Sequence, residues 1–308
     1  MRILSLIASS TEIVHALGFG SNMVGRSHEC DYPLEVLELP YCTSPRFNIE
    51  GSSREIDERV KSILQSALSV YKVDEIKLAE LVPDIIITQS QCEVCAVSLK
   101  DVEKALKMLS GKQPRVVSLE PNSLSDIWHD IKKIAKALSA SDRGQELIQN
   151  LQSRIVDLGK LIKEEPEQTI ACVEWIDPLM SAGNWVPELV KLAGAKNLFG
   201  EAGKHSPWMS FKELRDSDPD VILVIPCGYD IQKTRQEMSV LSTIPNWKSL
   251  KAVQKGRVYL ADGNQYFNRP GPRIIESLEI LIEILYDKKY DFGHFKSGWE
   301  IFKQNTYS

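Results

Sequence analysis

The chain has 308 residues, enough for two domains of ordinary size, and 43% of them are hydrophobic, enough for a core in each. The formal net charge of −5 argues against nucleic acid as a partner, because nucleic-acid binding needs a basic face. No apolar run approaches the ~20 residues that cross a bilayer, which argues against membrane insertion. The opening MRILSLIASSTE lacks the pattern of a signal peptide, so we expect a cytoplasmic protein with six reduced cysteines.

The first half alternates short apolar strands with helices. A strand over 2–8 ends at the polar run SSTE (9–12), which predicts a cap for a helix over 12–17. The apolar run PDIIITQ (83–89) predicts a buried strand. Other strands are predicted at 23–25 and 115–119, and other helices over 53–81, 97–109 and 124–138.

The stretch 139–165 predicts one long helix. Its leucines and isoleucines recur every three or four residues, which lines one helical face with apolar side chains. Ser141 is the expected N-cap, and Pro166 the expected stop. Because the flanking halves look alike, we predict an α/β protein of two doubly wound lobes joined by a long rigid helix. The predicted segments are an N-terminal α/β lobe (1–138), the connecting helix (139–165) and a C-terminal α/β lobe (166–308). The alternative is a packing helix inside a single domain.

The second half repeats the strand–helix rhythm. Strands are predicted at 169–173, 219–226 and 258–260, and helices over 186–193, from 210 and over 272–286. The tail 290–302 carries Phe292, Phe295, Trp299 and Phe302, so we expect it to pack rather than to be disordered.

The carboxyl ends of the predicted strands carry the unusual polar and aromatic residues. Ligands of open α/β sheets bind at this edge. Trp175, Trp185 and Trp208 follow strand ends or lie in loops, and large aromatics in loops suit a flat, partly apolar ligand. Packing inside the core or a loop is the alternative for each of them. The predicted ligand-binding residues are Ser10, Glu174, Trp175, Asn184, Trp185, His205, Trp208, Tyr229, Asn264, Tyr266, Phe267 and Arg269.

A second cluster contains thiols and an imidazole. Cys92 and Cys95 form a CxxC after one predicted strand, and His28 and Cys30 follow a neighbouring strand. These side chains suit zinc, an iron–sulfur cluster or another soft ion, so all four are predicted metal ligands. Half-buried structural thiols and a reversible disulfide are the alternatives. The common hydrolase and nucleotide motifs, such as GxSxG, HExxH and a phosphate loop, are absent from the sequence.

Six segments, spread in order along nearly the whole chain, carry a family resemblance. They are 2–33, 81–98, 116–127, 174–197, 219–228 and 266–281, and they include RSHECDYP, QCEVCAVS and EWIDPLMSAGNW. They resemble the helical-backbone (class III) periplasmic-binding-protein-like substrate-binding proteins of ABC transporters, specifically their cobalamin-binding (vitamin B12) members. The resemblance implies two lobes, a rigid connecting helix and a chelate held between the lobes for delivery to an ABC importer.

Two interpretations follow. The first is a non-enzymatic binding protein that holds a corrinoid (cobalamin) or a similar metal chelate in a cleft, with the aromatic side chains in apolar contact. Ser10, Asn184, Asn264 and Arg269 would hydrogen-bond its amides or carboxylates, and a histidine or thiol would approach the metal. The second is a cytosolic metalloprotein or enzyme in which His28 and the three cysteines hold zinc or an iron–sulfur cluster.

Overall fold

The computed structural model describes residues 1–66, 69–91, 99–107, 113–287 and 289–303. Its internal contacts divide the chain into two compact units. Unit 1 comprises Met1–Gly51, Glu55–Pro121 and Ser125–Asn150, and unit 2 comprises Ser52–Arg54, Asn122–Leu124 and Leu151–Ser308. Each unit has its own largely parallel sheet and its own helices. The predicted α/β fold with two doubly wound lobes is confirmed.

The chain before residue 140 builds the elements of unit 1. The strands are β1 (Ile3–Ser5), β2 (Met23–Arg26), β3 (Thr43–Pro45), β4 (Tyr71–Val73), β5 (Ile85–Gln89) and β6 (Arg115–Leu119), and the helices are α1 (Ala8–Ala16), α2 (Ser53–Gln65), α3 (Glu75–Leu81), α4 (Leu99–Leu106) and α5 (Leu124–Ala137). Short 3-10 helices cover Gly20–Asn22 and Leu34–Glu38.

Four strands of unit 1 form a parallel sheet in the order β2-β1-β5-β6, and β3 pairs with β4 in a separate antiparallel ribbon. All five residues of β5 are buried, as its apolar run predicted, because a central parallel strand is covered on both faces. Leu4 and Ile86 belong to a buried cluster that also holds Val102 and Leu106 of α4. The core of unit 1 therefore lies between this sheet and its helices.

Helix α1 begins earlier than the sequence predicted. Ile7 occupies the N-cap position and makes no side-chain cap hydrogen bond. The polar run 9–12, predicted as the cap, instead lies inside the helix and is buried. The prediction is wrong because the hydroxyls of Ser10 and Thr11 bond to Ser5 and Cys30, which satisfies them away from the helix terminus.

Helix α5 carries a buried carboxylate. Asp130 is 3% exposed, and its Oδ2 has no hydrogen-bond partner among the described residues. Burial raises the pKa of Asp130 to about 7, against the opposing effects of a backbone hydrogen bond from Glu120 and the charge of Lys133. The folded protein therefore holds a proton here that the unfolded chain has already released at neutral pH.

We expect Asp130→Asn to stabilise the protein at pH 8 and to leave it nearly unchanged at pH 4. An acid whose pKa is raised by folding does not destabilise the folded state at a pH below the pKa that it has in the unfolded chain. The destabilisation grows as the pH rises from there to the pKa in the folded protein, about 7. The gain at pH 8 should be about 3 to 4 kcal/mol, because each of the roughly three pKa units corresponds to about 1.4 kcal/mol. Urea unfolding at both pH values checks this, with Asp142→Asn at an exposed position as the control. An equal effect of Asp130→Asn at pH 4 and pH 8 would show that the carboxylate does not titrate in this range.

Helix α6 (Ser141–Leu161) is the predicted long helix, and it connects the two units along the chain. Ile148 and Leu158 are buried, whereas Leu161 of the predicted apolar stripe is exposed. The division between the units falls between its residues Asn150 and Leu151. The residue bounds of the three predicted segments stay a prediction.

Unit 2 contains the remaining elements. The strands are β7 (Thr169–Trp175), β8 (Met180–Ser181), β9 (Lys196–Asn197), β10 (Val221–Val224), β11 (Val258–Ala261) and β12 (Trp299–Ile301), and the helices are α7 (Val186–Leu192), α8 (Phe211–Ser217), α9 (Ile231–Ser242), α10 (Lys251–Gln254) and α11 (Ile274–Leu285). A 3-10 helix covers Trp247–Ser249.

The sheet of unit 2 has the order β12-β11-β10-β7-β8, with β9 paired to the start of β7. Strands β7, β10 and β11 are parallel, so their carboxyl ends lie at one edge, and β8 and β12 add antiparallel borders. Asp230 caps α9 directly after the β10 end by accepting from the Lys233 amide. This cap fixes where the loop after β10 turns into a helix.

The carboxyl-terminal tail packs, as predicted. Strand β12 pairs with β11, and the Trp299 side chain is 1% exposed. Buried Glu283 of α11 accepts from the Phe292 amide and the Trp299 indole, both at 2.5 Å. Arg154 of α6 and His294 of the tail both bond to Glu279 of α11. Among the described residues, no helix combines the length and the apolar character that a membrane crossing demands.

Candidate ligand-binding site

A chain of hydroxyl groups lies at the carboxyl end of β1 in unit 1. Ser10 Oγ is 2.6 Å from Ser5 Oγ and donates to the Ile7 carbonyl at 3.0 Å. Thr11 Oγ1 donates to Ser5 Oγ at 2.8 Å and lies 3.1 Å from Cys30 Sγ. All four of these polar side chains are buried. Ser10 was predicted to contact ligand, but its hydroxyl is enclosed and used inside unit 1, so this prediction is not carried further.

Only part of the predicted thiol cluster lies within the described residues. Cys30 is fully buried, with its sulfur turned to Ser5 and Thr11. Cys92 and Cys95 lie outside the described residues. Within the described ranges, no three His, Cys, Asp or Glu side chains are arranged to hold a metal ion. Metal binding by the two CxxC thiols stays a prediction, whereas Cys30 faces the interior.

His28 lies beside this network and is only partly buried. Its Nδ1 is 2.8 Å from Thr43 Oγ1, and its ring packs against the Tyr71 ring with centroids 5.2 Å apart. The Tyr71 hydroxyl donates to Glu29 at 2.8 Å. Burial, and then the charge of Arg26, lower the pKa of His28 to about 4. The imidazole is therefore neutral at pH 7.

An open groove of about 480 Å³ also lies in unit 1. It is lined by Arg46, Phe47, Glu55, Glu58, Arg59, Ser62 and Ile63. The Arg46 Nε donates to the Tyr71 carbonyl, and the Arg59 guanidinium donates to the carbonyls of Asn48 and Glu50. Both cations already bond to backbone, so the groove by itself shows no particular ligand.

In unit 2, a row of large side chains crosses the carboxyl end of β7. Trp175 pairs with Met180 of β8, and Met180 pairs in turn with Trp208. Directly paired residues of neighbouring strands point to the same face, so the three side chains lie in line over about 10 Å. Tyr229 extends the row, with its ring centroid 5.3 Å from that of Trp175. We call Trp175, Met180, Trp208 and Tyr229 the aromatic row.

The aromatic row changes from buried to exposed along its length. Tyr229 is buried, Trp175 and Met180 are partly buried, and Trp208 is 56% exposed. The Trp175 indole N–H and the Tyr229 hydroxyl are buried and have no hydrogen-bond partner among the described residues. Burial, and then the charge of Glu237, raise the pKa of Tyr229, so its hydroxyl keeps its proton. The row thus combines an exposed apolar ring with two donors that lack acceptors.

Two predicted aromatic contacts are interior residues instead. Trp185 is 6% exposed, and its indole N–H donates to the Phe267 carbonyl at 2.9 Å. Phe267 and Arg269 are buried as well. The hydrogen bond to this buried carbonyl satisfies the indole N–H of Trp185, so its side chain packs inside unit 2. The predicted ligand contacts of these three residues are not carried further.

The remaining predicted contacts of unit 2 stay accessible to different degrees. Glu174 accepts from Ser206 at 2.9 Å, and His205 is exposed with Nδ1 3.0 Å from the Ser206 carbonyl. Asn184, Asn264 and Tyr266 are partly buried. The backbone N–H of Asn264 donates to the Tyr229 carbonyl at 3.1 Å, which holds Asn264 next to the aromatic row.

The sequence reasoning missed three residues that shape these edges. Met180 lies in a two-residue strand that no periodicity reveals. Lys233, in the first turn of α9, places its ammonium 4.2 Å from the Tyr229 ring centroid. Thr43 reaches His28 from a strand fifteen residues further along the chain. Met180 and Thr43 carry no local signal, because each acts through a partner distant in sequence.

Residues 3–264 match the periplasmic binding protein family, and the chain belongs to this family. It is 24% identical to an uncharacterized ABC transporter substrate-binding lipoprotein, YvrC, of Bacillus subtilis, covering 92% of this chain and 80% of the relative. It is 23% identical to a vitamin B12-binding protein of Vibrio cholerae, covering 90% of this chain and 86% of the relative. A solved structure, the apo form of the periplasmic heme-binding protein RhuT from Roseiflexus, superposes with a TM-score of 0.69 at 22% identity, covering 94% of this chain and 98% of that chain.

The family match tests the sequence-based predictions of protein class and cellular location. The protein is a non-enzymatic binding protein of the periplasmic binding protein family, and one of its relatives is a substrate-binding lipoprotein of an ABC transporter. The resemblance found in the sequence is thereby confirmed. The predicted cytoplasmic location is wrong, because the family consists of periplasmic binding proteins and its relatives include a lipoprotein that serves an ABC transporter. The interpretation as a cytosolic enzyme falls with it.

Proposed function

We propose that this protein binds a corrinoid, or a closely similar macrocyclic metal chelate, and presents it to an ABC importer. The aromatic row of unit 2 carries the proposal. A flat macrocycle offers a large apolar face, and an exposed indole beside a thioether and a second indole is a surface on which such a face can stack.

The polar groups around the aromatic row suit the rim of such a ligand. A corrinoid carries amide groups at its edge, whose oxygens accept hydrogen bonds. The Trp175 indole and the Tyr229 hydroxyl are donors without acceptors, and an unpaired buried donor costs about 1–3 kcal/mol until an acceptor arrives. If the two rings rotate slightly toward a bound ligand, its amide oxygens would accept hydrogen bonds from both donors. Glu174, Asn184, His205, Asn264 and Tyr266 are proposed as further contacts.

The relatives support a chelate as the ligand class. One is named for vitamin B12, and one structural neighbour is named for heme. Both ligands are flat rings around a central metal. We favour the corrinoid because vitamin B12-binding relatives match about nine-tenths of this chain, and because neutral donors of the aromatic row suit amides better than carboxylates.

A ligand panel tests the proposal. Dicyanocobinamide, cyanocobalamin, hemin and ferric citrate are titrated separately into the purified protein, with tryptophan fluorescence and calorimetry as readouts. We expect dicyanocobinamide or cyanocobalamin to bind with a micromolar or lower Kd and to quench fluorescence. Ferric citrate lacks a macrocycle and should bind far more weakly. Tight binding of hemin or ferric citrate alone would refute the corrinoid assignment and leave the family assignment intact.

A further inference from the structure

Helix α9 places two charged side chains beside the buried end of the aromatic row. The Lys233 ammonium lies 4.2 Å from the Tyr229 ring centroid. Glu237 follows four residues after Lys233, and side chains at this spacing share one face of a helix. Besides burial, which is the larger cause, the charge of Glu237 raises the pKa of the Tyr229 hydroxyl, so the carboxylate acts on this hydroxyl. All three residues belong to unit 2.

The Glu237 carboxylate is held in place and carries a charge that no contact neutralises. Its Oε2 accepts from the backbone N–H of Ser53 at 3.0 Å and from the Ser53 hydroxyl at 2.8 Å. Ser53 is buried and belongs to unit 2 as well. Among the described residues, no lysine or arginine forms an ion pair with Glu237, and its Oε1 accepts no hydrogen bond. A fixed negative charge therefore lies next to the aromatic row.

A ligand on the aromatic row meets an unpaired donor at the buried end. The Tyr229 hydroxyl is buried and has no hydrogen-bond partner among the described residues. Amide carbonyls and carboxylates can both accept from a hydroxyl. A carboxylate at this point would bring a second negative charge beside Glu237, and like charges repel strongly where water is excluded. An amide accepts the same hydrogen bond without adding charge.

The Lys233 ammonium does not reverse this preference. It lies over the face of the Tyr229 ring, where it makes a cation–π contact. The hydroxyl lies at the edge of the ring, and the charge that acts on it is that of Glu237. Glu237 therefore sets the sign of the potential that a ligand group meets at this hydroxyl.

We propose that Glu237 makes the aromatic row select macrocycles with amides at their rim over macrocycles with carboxylates. This inference rests on the proposed function and assigns the choice between the two rim groups to one residue. Glu237 acts through space by repulsion, so it determines specificity without touching the ligand. No bond forms or breaks in this step.

Two corrinoids with the same ring test the selection. Dicyanocobinamide carries amides at positions where dicyanocobyrinic acid carries carboxylates, and cyanide caps both faces of the metal in each. Calorimetry at pH 7.5 gives the two Kd values, and their ratio measures the selection. We expect the wild-type protein to bind dicyanocobyrinic acid more weakly than dicyanocobinamide. Because salt screens charges, the ratio should also fall at high ionic strength.

Glu237→Gln removes the charge and keeps the shape, and its amide oxygen can still accept from Ser53. The ratio of the two Kd values should fall by about 10-fold, the effect of one charge several ångströms away at the edge of a protein. The change should come from tighter binding of dicyanocobyrinic acid, with the Kd of dicyanocobinamide altered by less than about twofold. Glu237→Asp keeps the charge and should keep the ratio.

Asp157→Asn is the matched control. It removes one exposed carboxylate of unit 2 from α6 and should leave the ratio unchanged. An equal fall of the ratio in Asp157→Asn would show that the net charge of the protein, rather than Glu237, selects the ligand. A purely structural role of Glu237 would weaken both corrinoids by the same factor and leave the ratio unchanged.

The outcomes also separate this inference from the proposed function. If dicyanocobinamide binds and the ratio is the same in the wild type and in Glu237→Gln, the role of Glu237 alone fails. Equal affinity of the wild-type protein for both corrinoids overturns it in the same way. If neither corrinoid binds, the proposed function fails and the role of Glu237 with it.

Discussion

Replacing Trp299 with alanine should lower the free energy of unfolding of unit 2 by about 4 kcal/mol, the largest effect expected from a single substitution here. The ring is 1% exposed and packs against Tyr259 and Phe295, with centroids 5.5 and 5.0 Å away. Its indole also donates to Glu283 Oε2 at 2.5 Å, so truncation leaves a cavity and removes a bond from a buried carboxylate.

Guanidinium unfolding measures this loss. Trp299→Phe keeps most of the packing but removes the indole N–H, so it should lose roughly half as much. Trp208→Ala is the matched control, because its ring is 56% exposed and surface substitutions usually change stability by about 0.5 kcal/mol or less. An unchanged midpoint for Trp299→Ala would mean that β12 contributes nothing to the stability of unit 2.

Trp208→Ala should have the opposite profile, with little effect on stability and a large effect on binding. If Trp208 stacks on the chelate at the exposed end of the aromatic row, its loss should cost about 2 kcal/mol, which corresponds to a roughly 30-fold higher Kd for dicyanocobinamide. Trp208→Phe retains a flat ring and should recover most of the affinity. Calorimetry on the three proteins gives the comparison.

The control for this binding experiment lies far from the aromatic row along the chain. Val156 of α6 is 55% exposed, almost the same fraction as Trp208, and Val156→Ala should leave the Kd unchanged. An unaltered Kd in Trp208→Ala would mean that the Trp208 ring packs only against its own loop. Trp208 would then not belong to the proposed site.

Elements with a strong local pattern were predictable from the sequence. Buried parallel strands need apolar residues on both faces, so the run that became β5 is recognisable without any neighbour. The long helix α6 is recognisable because its apolar stripe has a helical period. Alternation of these two patterns also predicted the α/β class, and the quoted segments predicted the family. The cellular compartment was mispredicted because the family relationship, not the composition of the chain, carries that information.

Tertiary structure decided which of the candidate side chains are buried and which stay exposed. Trp185 and Trp208 look alike in sequence, but Trp185 meets a carbonyl 82 residues away and turns inward, while Trp208 lies at the open border of β8. Ser10 became interior because Ser5 lies within reach of its hydroxyl. His28 lies 2.8 Å from Thr43 Oγ1, a partner that only the fold brings beside it. Local sequence sets the period of an element, whereas the burial and bonding of a loop side chain depend on partners that are distant along the chain.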